Sequence, residues 1–279
     1  MYKHRKLLPG GEFRMGSNSH YPEERPERTA AVAAFAIDIF PVRNCDFAEF
    51  VKATQYLTLA ERQGYSHVFQ MTKGPVPLNN PDLWWNAVQG ACWHNPRPGS
   101  EQPADFDQHP VVHIALEDAK AYAAWAGGRL PTEAEWEFAA RGGLNNTQFA
   151  WGEEFAPNGQ RMAQVWQGAF PWYYAPGGTP GAVTVGQFPA NGYGLHDMIG
   201  NVWEWTQSTF LDPALNKAET CCSCSPAQDS NTLFTLKGGS HLCAAEYCLR
   251  YRPAARIGVA GGSSTSHIGF RCAYNVLPN

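Results

Sequence analysis

Glycine and proline occur along the whole chain, and they limit how long any helix or strand can be. The 279 residues include 27 Gly and 21 Pro, whereas only 16% of residues are charged. Proline interrupts helices and central strands, and glycine favours turns. The hydrophobic fraction of 44% is nevertheless ample for a buried interior. We therefore expect an α+β fold that is rich in loops and has little regular secondary structure.

The chain gives no sign of a division into domains. It contains no internal repeat, low-complexity tract or linker, and its length is near the upper limit for one hydrophobic core. We predict a single domain over residues 1–279, with residues 1–8 as a flexible N-terminal extension.

Three segments have the apolar spacing of helices, namely 43–54, 116–128 and 131–143. The third begins with Thr132 and Glu135, which have the spacing of a capping box. Six short stretches have the composition of strands: 30–38, 110–115, 182–188, 201–206, 233–239 and 268–274.

Charge and hydropathy exclude two classes of function. The net charge of -4 offers no basic face for nucleic acid. No apolar run is long enough to span a membrane. The N-terminal stretch MYKHRKLLPGG lacks the apolar core of a signal peptide, so we expect a cytoplasmic protein.

Cys243 and Cys248 stand out because they lie five residues apart in KGGSHLCAAEYCLRYRPAARIG, residues 237–258. Neither a helix nor a strand places residues at this spacing on one face. The two sulfur atoms can meet only if residues 244–247 form a loop. A disulfide and a two-thiolate metal site both need that convergence, so the spacing alone leaves both open.

The surrounding charges favour a metal site. Arg250, Arg252 and Arg256 follow closely, and nearby cations favour the thiolate form of cysteine. Thiolates are soft ligands that select Cu(I) or zinc. Zinc requires four ligands, whereas Cu(I) accepts two or three, so a pair of cysteines favours copper.

The remaining cysteines give weaker signals. Cys221, Cys222 and Cys224 lie in TCCSCS without a second CxxC or a histidine pair, so we interpret them as thiols of a loop rather than a zinc site. For Cys45, Cys92 and Cys272 we expect core packing.

Several segments resemble the formylglycine-generating enzymes, also called sulfatase-modifying factors. They are PGGEFRMGS, HPVVHIALEDAKAYAAWAGGRLPTEAEWEFAARGG, ANGYGLHDMIGNVWEWT, GGSHLCAAEYCLRYRPAAR and GFRCA, in the family's order from about residue 9 to 275. Scaffold segments such as LPTEAEWE also occur in family members with other functions. The cysteine pair within GGSxxCxxxxCxRYR is the discriminating element.

The resemblance implies a fold related to C-type lectins and a specific chemistry. The family oxidises a cysteine in a C-x-P-x-R motif of a nascent sulfatase to Cα-formylglycine, with O2 as co-substrate. Cys243 and Cys248 match the cysteines that bind Cu(I), and the substrate thiolate is thought to become a third ligand. Ser240, Trp203 and His267 match positions that line the oxygen and substrate pocket. A redox metal makes chemical sense, because acid–base side chains cannot cleave a Cβ–H bond.

The resemblance also implies a structural calcium ion, with ligands at Asp197, Gly200, Val202 and Glu204. The alternative is that Glu204 satisfies hydrogen-bond donors of a tight turn. The sequence departs from the family pattern at a second calcium site, where Gln164 and a glycine-rich segment stand.

Two rival functions stay open at this point. One is another thiol oxidase on the same scaffold, and the other is a non-catalytic binding paralogue. Loss of the cysteine pair would favour the paralogue, but both cysteines are present. We expect a monomer whose partner is an unfolded or nascent sulfatase.

Overall fold

The computed structural model describes residues 4–177, 180–211 and 232–276. The helices in these ranges are short: α1 (Asn44–Thr54), α2 (Leu59–Gln63), α3 (Leu116–Trp125) and α4 (Glu133–Arg141). None of them is long and apolar enough to cross a bilayer.

The strands of the described ranges are equally short. They are β1 (Arg5–Leu8), β2 (Gly11–Met15), β3 (Arg28–Val32), β4 (Phe35–Asp38), β5 (Tyr65–Phe69), β6 (Trp85–Gln89), β7 (Trp203–Thr209), β8 (Leu233–Lys237), β9 (Arg256–Ala260), β10 (Ile268–Gly269) and β11 (Ala273–Asn275).

The strands form four small sheets. One has the order β1-β4-β11, and a second has the order β10-β7-β8-β9 with β10 parallel to β7. β2 pairs with β3, and β5 pairs with β6. Few helices, small mixed sheets and long connections confirm the loop-rich α+β prediction.

The three predicted helices are present, and their ends follow local chemistry. In α4 the hydroxyl of Thr132 accepts the amide of Glu135, and the Glu135 carboxylate accepts the amide of Thr132. The helix ends at Gly142, which adopts φ 59°, a left-handed conformation that favours glycine.

Two of the predicted strands are wrong. Residues 110–115 are extended in part, but His113 adopts a left-handed backbone conformation with φ 61°. The backbone amides of Val111 and His113 donate to the carbonyls of Val42 and Thr265, which lie in two different loops. In residues 182–188, the amide of Val183 donates to the side chain of Asn201. Both segments bond to loops rather than to a neighbouring strand.

The predicted N-terminal extension needs a correction as well. Residues 5–8 form β1, which pairs antiparallel with β4 from Arg5 opposite Asp38 to Leu8 opposite Phe35. Leu8 is buried, so apolar packing as well as backbone pairing holds this segment on the domain.

The interior contains two apolar clusters. The larger joins the sheets to α1, α3 and α4. The smaller, which we call the aromatic cluster, lies beside the cysteine loop and consists of Phe69, Trp84, Trp166, Phe170, Leu242 and Ala244. The aromatic cluster is the part of the core that positions the site.

Candidate active site: a buried cysteine pair

Two glycines bring the chain from β8 into the cysteine loop. Gly238 and Gly239 have φ of 96° and 73°, in the region that favours glycine. A Cβ on Gly239 would lie 2.7 Å from the carbonyl oxygen of Arg250. The absence of side chains here lets the segment before Cys243 pass close to the segment after Cys248.

The loop between the cysteines closes as the sequence requires. The amide of Cys248 donates to the carbonyl of Ala244, and the amide of Cys243 donates to that of Ser240. These turns bring the two Sγ atoms within 3.0 Å. A disulfide would place them about 2.05 Å apart. Both cysteines are free and buried, and their separation is that of a hydrogen-bonded thiol pair.

The two thiols differ in acidity. The hydrogen bond from Cys243, followed by the nearby Arg250 guanidinium, lowers the pKa of Cys248 to about 7. Burial, followed by the bond to Cys248, raises the pKa of Cys243. Cys248 therefore loses its proton first, and Cys243 donates to the resulting thiolate.

A cavity of about 290 Å³ opens beside the pair. Its lining includes both cysteines and the three other residues that the sequence assigned to a pocket, Trp203, Ser240 and His267. These residues come from β7, the loop after β8 and the segment before β10. The fold therefore brings all five predicted residues together around one space.

Sequence reasoning missed the aromatic wall of this cavity. Trp84, Trp85, Phe170 and Tyr247 also line the cavity. The available signal was the Trp-Trp pair in a connection rich in proline and asparagine, because such a pair must pack against something.

Only one of the three arginines near the cysteines acts on them directly. Arg250 hydrogen-bonds to Cys248 and is held by Glu23, with Nη2 2.6 Å from Oε1. Arg252 instead forms a buried ion pair with Glu24. Arg256 binds Glu133. The expectation that all three cations favour the thiolate is therefore wrong for Arg252 and Arg256.

His267 faces the cavity as a neutral ring. Burial, with the neighbouring His241 and His113, holds the pKa of His267 well below its usual range. Its Nδ1 lies 2.6 Å from the hydroxyl of Thr265, and its ring lies 4.7 Å from the ring of Trp85. A neutral imidazole can offer a hydrogen bond to a substrate without placing a positive charge beside a metal.

The cysteine pair fits a Cu(I) ion. It provides two converging soft donors, one of them acidic, next to a cavity that could admit a third ligand. Among the described residues no group of three or more His, Cys, Asp and Glu side chains is arranged to hold a metal. A copper ion here would thus have two protein ligands.

The residues assigned to calcium fit that ion less well. Both carboxylate oxygens of Glu204 bind Arg271 at 2.8 Å, and one also accepts the indole N–H of Trp136 at 2.7 Å. Asp197 accepts the amide of Gly186. Calcium at Glu204 would have to displace the Arg271 guanidinium, so the arrangement of side chains in this structure does not fit the ion. A calcium ion held by Asp197, Gly200, Val202 and Glu204 stays a prediction.

The other cysteines lie apart from the pair. Cys92 and Cys272 are buried, as expected, and Cys45 is half-buried. Cys221, Cys222 and Cys224 lie outside the described residues.

The fold and the cysteine site together define a sulfatase-modifying-factor domain. The family model for the Sulfatase-modifying factor enzyme 1-like domain matches residues 1–276. The chain is 51% identical to the formylglycine-generating enzyme of Mycobacterium tuberculosis, over 95% of each chain. It therefore belongs to the formylglycine-generating enzyme family.

Further relatives extend this result. The formylglycine-generating enzyme of Thermomonospora curvata is 44% identical over 97% of this chain and 93% of its own. A Bos taurus protein named inactive C-alpha-formylglycine-generating enzyme 2 is 41% identical over 95% of this chain and 86% of its own. PvdO from Pseudomonas aeruginosa has the same fold, with a TM-score of 0.66 and 24% identity over 98% of this chain and 94% of its own.

Proposed function

We propose that this protein oxidises a cysteine of a sulfatase polypeptide to Cα-formylglycine, using O2 and a Cu(I) ion held by Cys243 and Cys248. The observation that carries the proposal is the meeting of two buried free thiols, 3.0 Å apart, at one cavity with Trp203, Ser240 and His267. The relatives named formylglycine-generating enzyme support the same chemistry.

Bound copper would supply the one-electron chemistry with O2 that no side chain of the cavity possesses. The protein supplies the geometry. Cys243 and Cys248 hold the ion, and the cavity beside them is large enough for a cysteine side chain of the substrate. The aromatic side chains make one wall of that space apolar.

We propose that Ser240 binds the substrate. Its Oγ accepts the amide of Leu242, which leaves the hydroxyl proton free to be donated within the cavity. Its own amide donates to the Sγ of Cys243 at 3.4 Å, a hydrogen bond that would stabilise the thiolate of Cys243 when copper is bound and the thiol proton has left. Ser240 thus touches both the ligand cysteine and the space for the substrate.

We propose a C-x-P-x-R segment of a nascent sulfatase as the substrate. Action as a monomer in the cytoplasm stays a prediction.

Peptide turnover tests the proposed function. Copper-loaded protein is incubated in air with a C-x-P-x-R peptide and a thiol reductant, and the aldehyde is detected by mass. We expect turnover by the wild type and loss of it in Cys243→Ser and in Cys248→Ser, because each thiolate alone leaves the ion underligated. Cys45→Ser is the matched control and should retain the wild-type rate, since Cys45 does not line the cavity.

A binding protein without catalysis is the second candidate, because a relative named inactive is 41% identical to this chain and two relatives named formylglycine-generating enzyme are 41% and 42% identical. Overall identity therefore does not separate the two functions. Absence of aldehyde from the wild type, with peptide binding retained, would favour the binding protein.

A further inference from the structure

A second cavity, of about 260 Å³, is lined by residues of the β1-β4-β11 sheet and of the helices α1 and α3. It has no lining residue in common with the cavity beside the cysteine pair, so it takes no part in the proposed reaction. Phe40, Tyr122, Trp125 and Tyr274 form the aromatic part of its lining, and each of them is buried or half-buried. Pockets for drug-sized ligands begin at about 300 Å³, so this cavity suits a small ligand.

Tyr122 brings a polar group without a partner to this cavity. The residue is only 8% exposed, because its ring packs among the aromatic side chains of the larger apolar cluster. Within the described part of the chain its hydroxyl makes no hydrogen bond, and it opens onto the cavity. Burial, followed by the nearby Cys272, raises the pKa of Tyr122, so the phenol keeps its proton. Buried hydroxyl groups normally have a hydrogen-bond partner, so this one points to a ligand.

The lining of the cavity carries more acidic than basic side chains. It contains three carboxylates and two guanidiniums, namely those of Asp38, Asp46, Glu49, Arg5 and Arg43. All three carboxylates lie close enough to the Tyr122 hydroxyl to raise its pKa further. The charge around this hydroxyl is therefore negative on balance.

Both guanidiniums already have partners in the protein. Arg43 binds the Asp46 carboxylate through two hydrogen bonds of 2.8 and 2.9 Å. Arg5 donates to the carbonyl of Ala126 at 3.1 Å. Glu49, which is exposed, forms no ion pair and no hydrogen bond through its carboxylate among the described residues. The groups of the lining that lack partners are thus a buried phenol and a carboxylate.

These groups select a ligand that donates hydrogen bonds and carries a positive charge. The Tyr122 oxygen and the Glu49 carboxylate can both accept from an ammonium group, which has several N–H donors. The rings of Phe40 and Trp125 can attract a cation and pack against an apolar group. We propose that this cavity binds a primary ammonium group carried on an apolar body, with Tyr122 and Glu49 as the acceptors.

Calorimetric titration with phenethylammonium tests the site without any turnover. We expect the wild type to bind phenethylammonium at millimolar concentrations or below, and to bind the neutral 2-phenylethanol and the smaller methylammonium at least several-fold more weakly. Tyr122→Phe should weaken phenethylammonium binding about tenfold or more, the loss of a buried hydrogen bond to a charged group. Glu49→Gln should weaken it about threefold, because an exposed carboxylate is screened by water.

Glu12→Gln is the matched control for the change of charge, since Glu12 is an exposed glutamate of β2 outside this cavity. It should bind phenethylammonium as the wild type does. Tyr122→Phe keeps the ring in the core and should not lower the melting temperature, because the hydroxyl has no partner to lose. Absence of wild-type binding, equal affinity for 2-phenylethanol, or wild-type affinity in Tyr122→Phe or in Glu49→Gln would overturn the proposal.

The ammonium group could belong to a free amine or to a lysine side chain of another polypeptide. A lysine would reach into the cavity on its methylene chain and leave its backbone outside. Titration with Nα-acetyl-lysine N-methylamide separates the two sources. This blocked lysine should bind more tightly than phenethylammonium if lysine side chains are the ligand, and more weakly if free amines are. Either result supports the site, which does not depend on the proposed function.

Discussion

The ring of Tyr247 lies almost parallel to that of Phe170, with the ring centroids 4.5 Å apart and an angle of 4° between the planes. Tyr247 belongs to the loop between the two cysteines, whereas Phe170 belongs to the opposite wall of the cavity. The carboxylate of Glu246, in the same loop, accepts the amide of Phe170 at 2.9 Å. The cysteine loop is thus anchored to the aromatic cluster by a ring stack and a hydrogen bond.

This anchor predicts the effect of removing the ring. Tyr247→Ala should lower the free energy of unfolding by about 2 kcal/mol, the combined loss of apolar burial and of an aromatic pair. It should also weaken Cu(I) binding, because the loop that sets the distance between the sulfur atoms loses its support. Tyr247→Phe keeps the stack and should unfold in urea as the wild type does. An alanine variant with the wild-type urea midpoint would show that the stack does not hold the loop.

A buried histidine predicts a defined pH dependence. Burial lowers the pKa of His113 to about 4, from its usual value near 6.5. Its Nδ1 lies 2.8 Å from the Ser66 hydroxyl and its Nε2 bonds to Pro96. Because the folded state binds the proton less well than the unfolded state, His113 contributes stability above pH 6.5 and loses it as the pH falls to 4. The expected loss is about 3 kcal/mol.

The difference between wild type and His113→Asn isolates this effect. Other groups also titrate in this range, since burial raises the pKa of Asp38 and that of Asp118 to about 6, and their contribution has the opposite sign. They cancel in the difference. Asparagine tolerates the left-handed backbone at this position. In urea unfolding the variant should be less stable than the wild type at pH 7 and closer to it near pH 4.5, whereas a difference independent of pH would contradict a neutral, desolvated ring.

The buried pair of Glu204 and Arg271 predicts a large loss when it is broken. Glu204→Gln leaves the Arg271 guanidinium buried without its counter-ion, so we expect a loss of about 3 kcal/mol in the free energy of unfolding. Melting temperatures measured with and without a chelator distinguish an ion pair at Glu204 from a bound calcium ion. Both the wild type and the variant are measured. If an ion pair holds Glu204, the chelator has no effect on either protein. A wild-type melting temperature that falls with chelator would support calcium instead.

Much of the fold and the site follows from local signals in the sequence. The capping box of α4 and the loop between Cys243 and Cys248 depend on neighbouring residues, so short-range patterns predict them. Trp203, Ser240 and His267 came from the resemblance to a family, and the structure brings them to the same cavity.

Long-range pairing was less predictable. Residues 110–115 and 182–188 have the composition of strands, but their hydrogen bonds go to loops that lie far away in the sequence. The partner of Glu204 is a similar case, because Arg271 lies 67 residues away and no periodic pattern links the two. Such contacts depend on how the elements pack, which local propensity does not specify.

The central claim is that Cys243 and Cys248 together bind one Cu(I) ion. Titration of the reduced protein with Cu(I) tests it most directly. We predict uptake of one Cu(I) per chain, loss of that stoichiometric binding in Cys243→Ser and in Cys248→Ser, and retention in Cys45→Ser. Affinity should increase with pH, since the ligand thiols lose protons on binding. Failure of the reduced wild type to bind Cu(I) stoichiometrically, with an active form that carries a disulfide between Cys243 and Cys248, would contradict the claim.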